Sequence, residues 1–485
     1  MADNPIASVN LAFWQRPRVQ PRRPVVRRAD RLSIALTFAY LFAFLGVMGV
    51  LVGVPGLKSL RGYYLVLPIG LLTLTILGNR TTWKHLLTCI PMVGYLVFSA
   101  ATAKNDVVTQ SYTPMGVLYS THSHALPSVM LAFQSLFVIV TASHIRIAAA
   151  TAKVRFVEMF MSGYLISLSV GYVFMIGRKV GLLSFDFISR FCFMRSRTDT
   201  RFSPGSDPNE YGIMTSLFLS IYVAYLLYGV GRCQPRTWVK ILFAHPLTAS
   251  VLLPLTSLAL LFTNTRSAIV AFVAAICWIL ACEVGPRLRR PKIAGNALPR
   301  ILFSGLAALV IVPIAVINFD HLKFLVEKFS RAVDDEASTE GRYTLWREAL
   351  EHFELRPLLG SGYHTHEYIH NTYLQMICDL GVLGAAALVV TTAVVFAQFY
   401  GRISFFGRVA SNLPEDRFLV RIKQIALMHV LWFAMTNHNF DQFLTWFVVL
   451  LVLALGRQAQ PKRALSVAAS HGSKSSELVP VVGVC

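Results

Sequence analysis

The sequence predicts an all-α fold: a polytopic membrane bundle of about twelve transmembrane helices, with one large extramembrane loop that carries an amphipathic helix. Three observations predict it. Of 485 residues 55% are hydrophobic and the mean hydropathy is +0.56, too apolar for a water-soluble chain of this size. Apolar runs long enough to cross a hydrocarbon core of about 30 Å recur from end to end. The basic residues fall unevenly into the polar gaps between those runs. A net charge of +21 would suggest nucleic acid in a soluble protein. Here it follows from positive-inside topology and anionic headgroups, and no nucleic-acid partner is expected.

The first 31 residues hold seven arginines and no apolar run; they read as a basic cytoplasmic tail, with no cleavable signal. Nine apolar runs then fill 32–319, at 32–54, 62–79, 85–103, 126–143, 154–176, 209–230, 247–263, 267–283 and 301–319. A large polar loop occupies 320–370. Three more runs, 371–399, 422–436 and 441–456, fill 371–456, and 457–485 forms a second cytoplasmic tail. Length decides two of these assignments. The stretches 249–283 and 422–456 would each measure about 52 Å as one helix, and each has a polar middle: Asn264-Thr265-Arg266 in the first, Asn437-His438-Asn439-Phe440-Asp441 in the second. Each is predicted to break into two helices at a tight polar turn, at a membrane face or inside the bundle.

With the first tail in the cytoplasm, 29 of the 45 Lys and Arg fall on the cytoplasmic side and 16 on the other, as the positive-inside rule requires. Both tails are then inside. The segments 177–208 and 320–370, the turn at Arg266 and the turn at His438 share the outer face. The spans read as nearly free of acidic residues, with Glu158 near a cytoplasmic end, which disfavours proton-coupled transport. Seven scattered cysteines without a CxxC pair predict neither a disulfide framework nor a metal site.

Within 177–208, Arg178, Lys179, Arg190, Arg195, Arg197 and Arg201 precede Asp207-Pro208-Asn209. That triplet reads as a helix start, with Asp207 as N-cap and proline at the first helical position. The arginines read either as a solvated loop or as an anion-binding surface, since they run against the charge bias. In the large loop, Tyr343, Trp346, Leu350 and Phe353 recur at helical spacing among Arg347, Glu348, Glu351 and Glu354. This predicts an amphipathic helix along the membrane surface, ended by Pro357. Gly360-Ser361-Gly362 then turns the chain and matches no phosphate-binding loop. His364, His366 and His370 follow without a carboxylate beside them, so no metal is expected.

Topology brings Arg266, Arg342 and His370 to one face. Guanidinium groups stay charged and bind phosphate oxygens in pairs. Two arginines near one histidine suit transfer from a diphosphate-linked donor. The arginines would neutralise the leaving diphosphate, and the imidazole, with an ordinary pKa near 6.5, would take a proton from the attacking hydroxyl. The apolar run after His370 predicts that it sits in the first turn of a helix, whose dipole favours the neutral ring. Asn371 would orient the ring or the acceptor. Gly381 and Gly384 on the same helix read as small residues for close packing. Each residue also has a plain reading: Arg266 as a cap at the headgroups, Arg342 as a partner of Glu336 or Glu340, His370 as an interfacial anchor. No nucleophile-elbow motif supports a hydrolase.

His370-Asn371, nine residues, then Gly381-Val382-Leu383-Gly384 resembles the HN-x9-G-x-x-G signature of bacterial O-antigen ligases. Asn264-Thr265-Arg266-Ser267 at the head of a span, Gly341-Arg342 with Trp346, and Pro357 with Gly360-Ser361-Gly362 resemble upstream parts of that superfamily. Asp207-Pro208-Asn209 is similar to its polymerase branch. The resemblance covers residues 207–384. It implies an integral-membrane glycosyltransferase of the GT-C type, acting at the periplasmic face of the bacterial inner membrane without metal or other cofactor. The implied donor is a glycan on undecaprenyl diphosphate. His370 corresponds to the catalytic histidine, and Arg266 and Arg342 to the diphosphate-contacting arginines. Arg201, Asn209, Trp346, His366, Asn371 and His438 are candidate substrate contacts. The expected activity is repeat-unit polymerisation of an exopolysaccharide or O-antigen. The alternatives are ligation of the glycan to lipid A-core and, less favoured, a transporter or flippase. Expected partners are the donor, the acceptor, the bilayer and other polysaccharide-export proteins.

Overall fold

In a computed structural model of the protein, the described residues are 28–48, 62–102, 125–184, 187, 208–230, 242–287, 336–363, 365–366, 369–400, 413–437 and 442–455. The apolar run 301–319, Arg201, Asp207, His364, His438 and both terminal segments lie outside them. Twelve α-helices form among the described residues: α1 Arg28–Met48, α2 Val66–Ile76, α3 Arg80–Thr102, α4 Ala125–Ile145, α5 Ala150–Lys179, α6 Pro208–Tyr228, α7 Pro246–Phe262, α8 Arg266–Arg287, α9 Glu336–Leu355, α10 Thr372–Tyr400, α11 Pro414–Thr436 and α12 Phe443–Ala454. No strand occurs among these residues. Six helices, α1, α4, α5, α6, α10 and α11, are long and apolar enough to cross a membrane. The apolar helices α2, α7, α8 and α12 are shorter.

Both long apolar stretches break where their middles are polar. Thr263 closes α7, Asn264 adopts a left-handed backbone (φ 53°), and α8 starts at Arg266. Asparagine tolerates that conformation better than most residues. Asn437 is extended and ends α11, and α12 starts six residues later.

The centre of the bundle is α6, which is buried along almost its whole length. It packs against α8, α11, α7 and α5, while α1 lies along α5 and α4 packs on α1, α2, α3 and α12. A cluster of Phe42, Tyr63, Phe137 and Phe443 joins α1, α4 and α12. Phe160 stacks on Phe447 and Tyr164 on Phe218. Some polar groups inside the bundle are paired across helices. Ser216 meets His429 Nε2 at 2.8 Å, Tyr225 donates to Glu158 at 2.9 Å, and Tyr164 donates to Thr215 at 2.8 Å. Such bonds between membrane helices contribute about 0.6 kcal/mol each and fix which faces meet.

Two corrections to the sequence reading emerge. The spans are not free of acids: Glu210 on α6 and Asp379 on α10 are both fully buried. The amphipathic helix α9 does not turn all its apolar residues one way. Trp346, Ala349 and Phe353 pack on Ile369 and Cys378, whereas Tyr343 and Leu350 are exposed. The packed set lies at i, i+3 and i+7, one face of a helix.

Candidate functional site

One end of the bundle gathers most of the residues that could carry chemistry. The N-terminus of α6 docks on the α7–α8 turn, where the Thr265 hydroxyl donates to the Pro208 carbonyl (3.1 Å). Asn209, half-buried, is thereby held beside the turn that carries Arg266. Trp432 on α11 donates its indole N–H to the carbonyl of Ser267 (3.0 Å), which ties the end of α11 to the start of α8. Five residues on, Asn437 reaches His370: its Oδ1 lies 3.1 Å from His370 Nδ1. Its backbone carbonyl accepts from Thr372 Oγ1 (2.7 Å). On the other side, Trp346 of α9 donates to the carbonyl of Ile369 (2.8 Å), the residue before His370. Arg342 is one helical turn before Trp346. Its pKa is lowered by partial desolvation and then by the charge of Arg266. Through these contacts Arg266, Arg342 and His370 lie towards the same end of the bundle.

His370 does not occupy the first turn of a helix. It precedes the N-cap and has a left-handed backbone (φ 54°). Asn371 is the residue that caps α10, its Oδ1 accepting from Leu374 N–H (3.1 Å). An asparagine oxygen satisfies an orphan N–H at a helix start better than a ring nitrogen can, so the helix begins one residue later than the apolar run implies. What sets the proton on His370 is then Asn437 rather than the helix dipole. A carbonyl oxygen accepts from Nδ1–H, which leaves the Nε2 lone pair as the basic position.

Behind this centre the chain 357–362 is locked to an interruption in α10. Gly381 takes φ 65°, ψ −178° and breaks the helix. Several of the backbone groups released by the break find partners in the 357–362 chain. Ser361 N–H donates to Cys378 O (3.1 Å), Gly362 N–H to Asp379 O (2.9 Å), Val382 N–H to Pro357 O (2.9 Å) and Leu383 N–H to Leu358 O (3.2 Å). Tyr95 of α3 donates to the Leu380 carbonyl, and Tyr363 N–H donates to Ser99 Oγ at the end of α3 (3.1 Å). A Cβ on Gly381 would lie 2.4 Å from Leu358 O, and one on Gly360 (φ 71°) 2.3 Å from Asp379 O. Gly384 faces the Tyr95 ring, 2.2 Å from where a Cβ would stand. The glycines thus serve the backbone crossing at 360–381 and the packing of α10 on α3.

His366 is buried, and both of its ring nitrogens are taken up by Asp379 and His352. The sequence reading saw no carboxylate near the histidines because Asp379 lies thirteen residues on, inside an apolar run. An acid in a span was the available signal. His352 was passed over as part of an amphipathic helix, and Asn437 as the middle of a turn.

A family model described as O-antigen ligase matches residues 249–389. Residues 249–389 carry an O-antigen ligase domain. The domain takes in most of α7, all of α8 and α9, and α10 as far as residue 389, with Arg266, Arg342, His352, His366, His370, Asp379, Gly381 and Gly384. Asn209, at the start of α6, and Asn437, which ends α11 and meets His370, lie outside it. The O-antigen ligase domain implies a membrane glycosyltransferase with a lipid-linked glycan donor. No curated protein matches the chain.

Proposed function

We propose that the chain is a membrane glycosyltransferase that moves a glycan from undecaprenyl diphosphate to an acceptor hydroxyl at the periplasmic face. What supports this reading is the bonding that holds the segments of Arg266, Arg342 and His370 at one end of the bundle, with Nδ1 of His370 turned to Asn437. In this mechanism the two arginines bind the donor diphosphate. Their mutual repulsion, felt as the lowered pKa of Arg342, is relieved when the dianionic group arrives between them. As the glycosidic bond to the diphosphate breaks, the negative charge on the leaving oxygen is held by guanidinium N–H groups. His370 Nε2 takes the proton of the acceptor hydroxyl, and the imidazolium that forms keeps its Nδ1–H bond to Asn437. Asn209 and Trp346 border the centre and serve as substrate contacts; Asn371 keeps the cap that sets the backbone of His370.

The periplasmic assignment is supported by the opposite end of the bundle. There Arg146 donates to the carbonyl of Gln398 (3.3 Å) and Lys153 to that of Arg146 (3.0 Å). Arg417, Arg421 and Lys423 lie in the first turns of α11 nearby. Such a basic rim suits the cytoplasmic side.

Within this class we favour a repeat-unit polymerase over a ligase acting on lipid A-core. A deletion strain separates them. Loss of long-chain polysaccharide with one repeat unit still attached to the core marks a polymerase. Loss of every glycan from the core marks a ligase. Unchanged lipopolysaccharide and unchanged secreted polysaccharide would refute both.

A further inference from the structure

A second row of titratable groups lies beside the centre and is not used by that mechanism. The Asp379 carboxylate is fully buried. Its Oδ1 accepts from both the backbone N–H (3.0 Å) and Nδ1 (2.8 Å) of His366, and its Oδ2 from Gln375 Nε2 (3.3 Å). On the far side of the ring, His366 Nε2 lies 3.0 Å from Nδ1 of His352. His352 is half-exposed on α9 and makes no other hydrogen bond among the described residues.

The chemistry of the row follows from its closed end. A carboxylate only accepts, so His366 Nδ1 carries a hydrogen. With both rings neutral, His366 Nε2 accepts from His352 Nδ1–H, and Nε2 of His352 offers a lone pair. Desolvation first, and the neighbouring His366 second, lower the pKa of His352, with Glu351 opposing. One added proton reverses the bond between the rings without breaking it. Nε2 of His352 is then an N–H donor. A phosphate oxygen matches only the second state and an amide N–H only the first. A hydroxyl, which both donates and accepts, matches both.

The row is not needed to hold the loop, since four backbone bonds already lock 357–362 to α10. Its place along α9 supplies the other half of the argument. Arg342 is one turn before Trp346, Trp346 is bonded beside His370, and His352 is six residues further on, about 9 Å along the helix axis. A group at His352 is therefore beyond the reacting hydroxyl, on the side away from the arginines.

We propose that His352 binds a sugar hydroxyl of the glycan substrate at a subsite beyond the reacting centre, with His366 and Asp379 positioning its ring. This rests on the glycosyltransferase reading for its substrate class. A buried carboxylate behind two imidazoles polarises the row and strengthens the outer hydrogen bond.

The test uses full-length protein in detergent, with two readouts. In the first, His352→Phe, which keeps a flat ring and removes both nitrogens, raises the KM for glycan acceptor about tenfold and leaves kcat within about twofold, as for loss of one hydrogen bond. His352→Gln recovers part of the loss, and Asp379→Asn, which still accepts from His366, raises KM less. In the second, saturation-transfer NMR follows binding of lipid-free oligosaccharides released from the host's surface polysaccharide by mild acid. Wild type shows transfer to the sugar protons and His352→Phe does not, at equal melting temperature. An unchanged KM with unchanged sugar binding overturns the subsite, as does a fall in kcat alone. Should wild type bind the sugars through His352 yet transfer no glycan to any acceptor, the subsite stands and the glycosyltransferase reading falls.

Discussion

At the scale of single residues, His370 shows how little separates an anchor from a base. Its Nδ1 lies 3.1 Å from Asn437 Oδ1, and its backbone is held left-handed, a conformation that costs a histidine about 1–3 kcal/mol. A residue held that way from both ends is pre-oriented. His370→Ala is expected to lower transfer by about 10²–10⁴, and His370→Gln to be as inactive, because an amide cannot take the proton. Near-normal turnover of the glutamine variant would reduce the residue to a positioning role. Asn437→Ala leaves the ring but frees its tautomer; a fall of about tenfold in kcat, the worth of one hydrogen bond, is expected with donor binding unchanged. For the arginines the expected loss is larger. Arg266→Ala and Arg342→Ala each remove a charge from the leaving diphosphate and should cost about 2–4 kcal/mol of transition-state stabilisation, by analogy with loss of one oxyanion donor. Lysine should restore little, since it lacks the planar fork. Full activity in both alanine variants at equal expression would sink the phosphate-binding role. Arg266, Arg342 and His370 stand out in the sequence because guanidinium and imidazole at a membrane face are conspicuous. Asn437, His352 and Asp379 do not, because their partners come from other helices and an asparagine in a turn has an ordinary explanation.

At the scale of elements, the decisive feature is the crossing of the 357–362 chain over the interruption of α10. The sequence placed Gly381 and Gly384 on one helix and read both as packing residues. Periodicity carries no sign of φ, so it could not separate a glycine needed for its backbone from one needed for its size. Gly381 at φ 65°, ψ −178° is in a region that other residues avoid, and a Cβ there also meets a carbonyl at 2.4 Å. Gly381→Ala is expected to destabilise by at least about 1–3 kcal/mol and to misplace His366 and the cap of α10 together. Gly94 on α3 is the matching control: a Cβ there meets nothing within 4 Å, and Gly94→Ala should hold or slightly raise stability, as alanine favours helix. Thermal melts of the two variants in the same detergent decide the matter; equal melting temperatures would mean that the crossing does not bear on the fold. The helix breaks at 263–265 and at 437 were legible for the opposite reason, since length and polarity in the middle of an apolar stretch leave few other outcomes.

At the scale of the whole molecule, the question is which end faces which compartment. The twelve helices bring the α6 start, the α7–α8 turn, α9, the α10 start and the α11 end together, and bring the α10 end, α4 end and α11 start together at the other pole. The charge pattern of the sequence predicts the cytoplasm for the second pole. That assignment bears on mechanism, because a lipid-diphosphate donor carries its own leaving group and needs no ATP at the site. Arg347, whose side chain is 75% exposed on α9, reports on the first pole, and the exposed Leu413 at the head of α11 on the second. In a cysteine-free background, Arg347→Cys should react with a membrane-impermeant maleimide in cells whose outer membrane alone is permeabilised. Leu413→Cys should react only after the inner membrane is opened. The reverse pattern would invert the bundle and put the centre in the cytoplasm, where a periplasmic acceptor cannot reach His370. Labelling of both sites in intact cells would mean that the two poles do not lie on opposite sides of a bilayer at all.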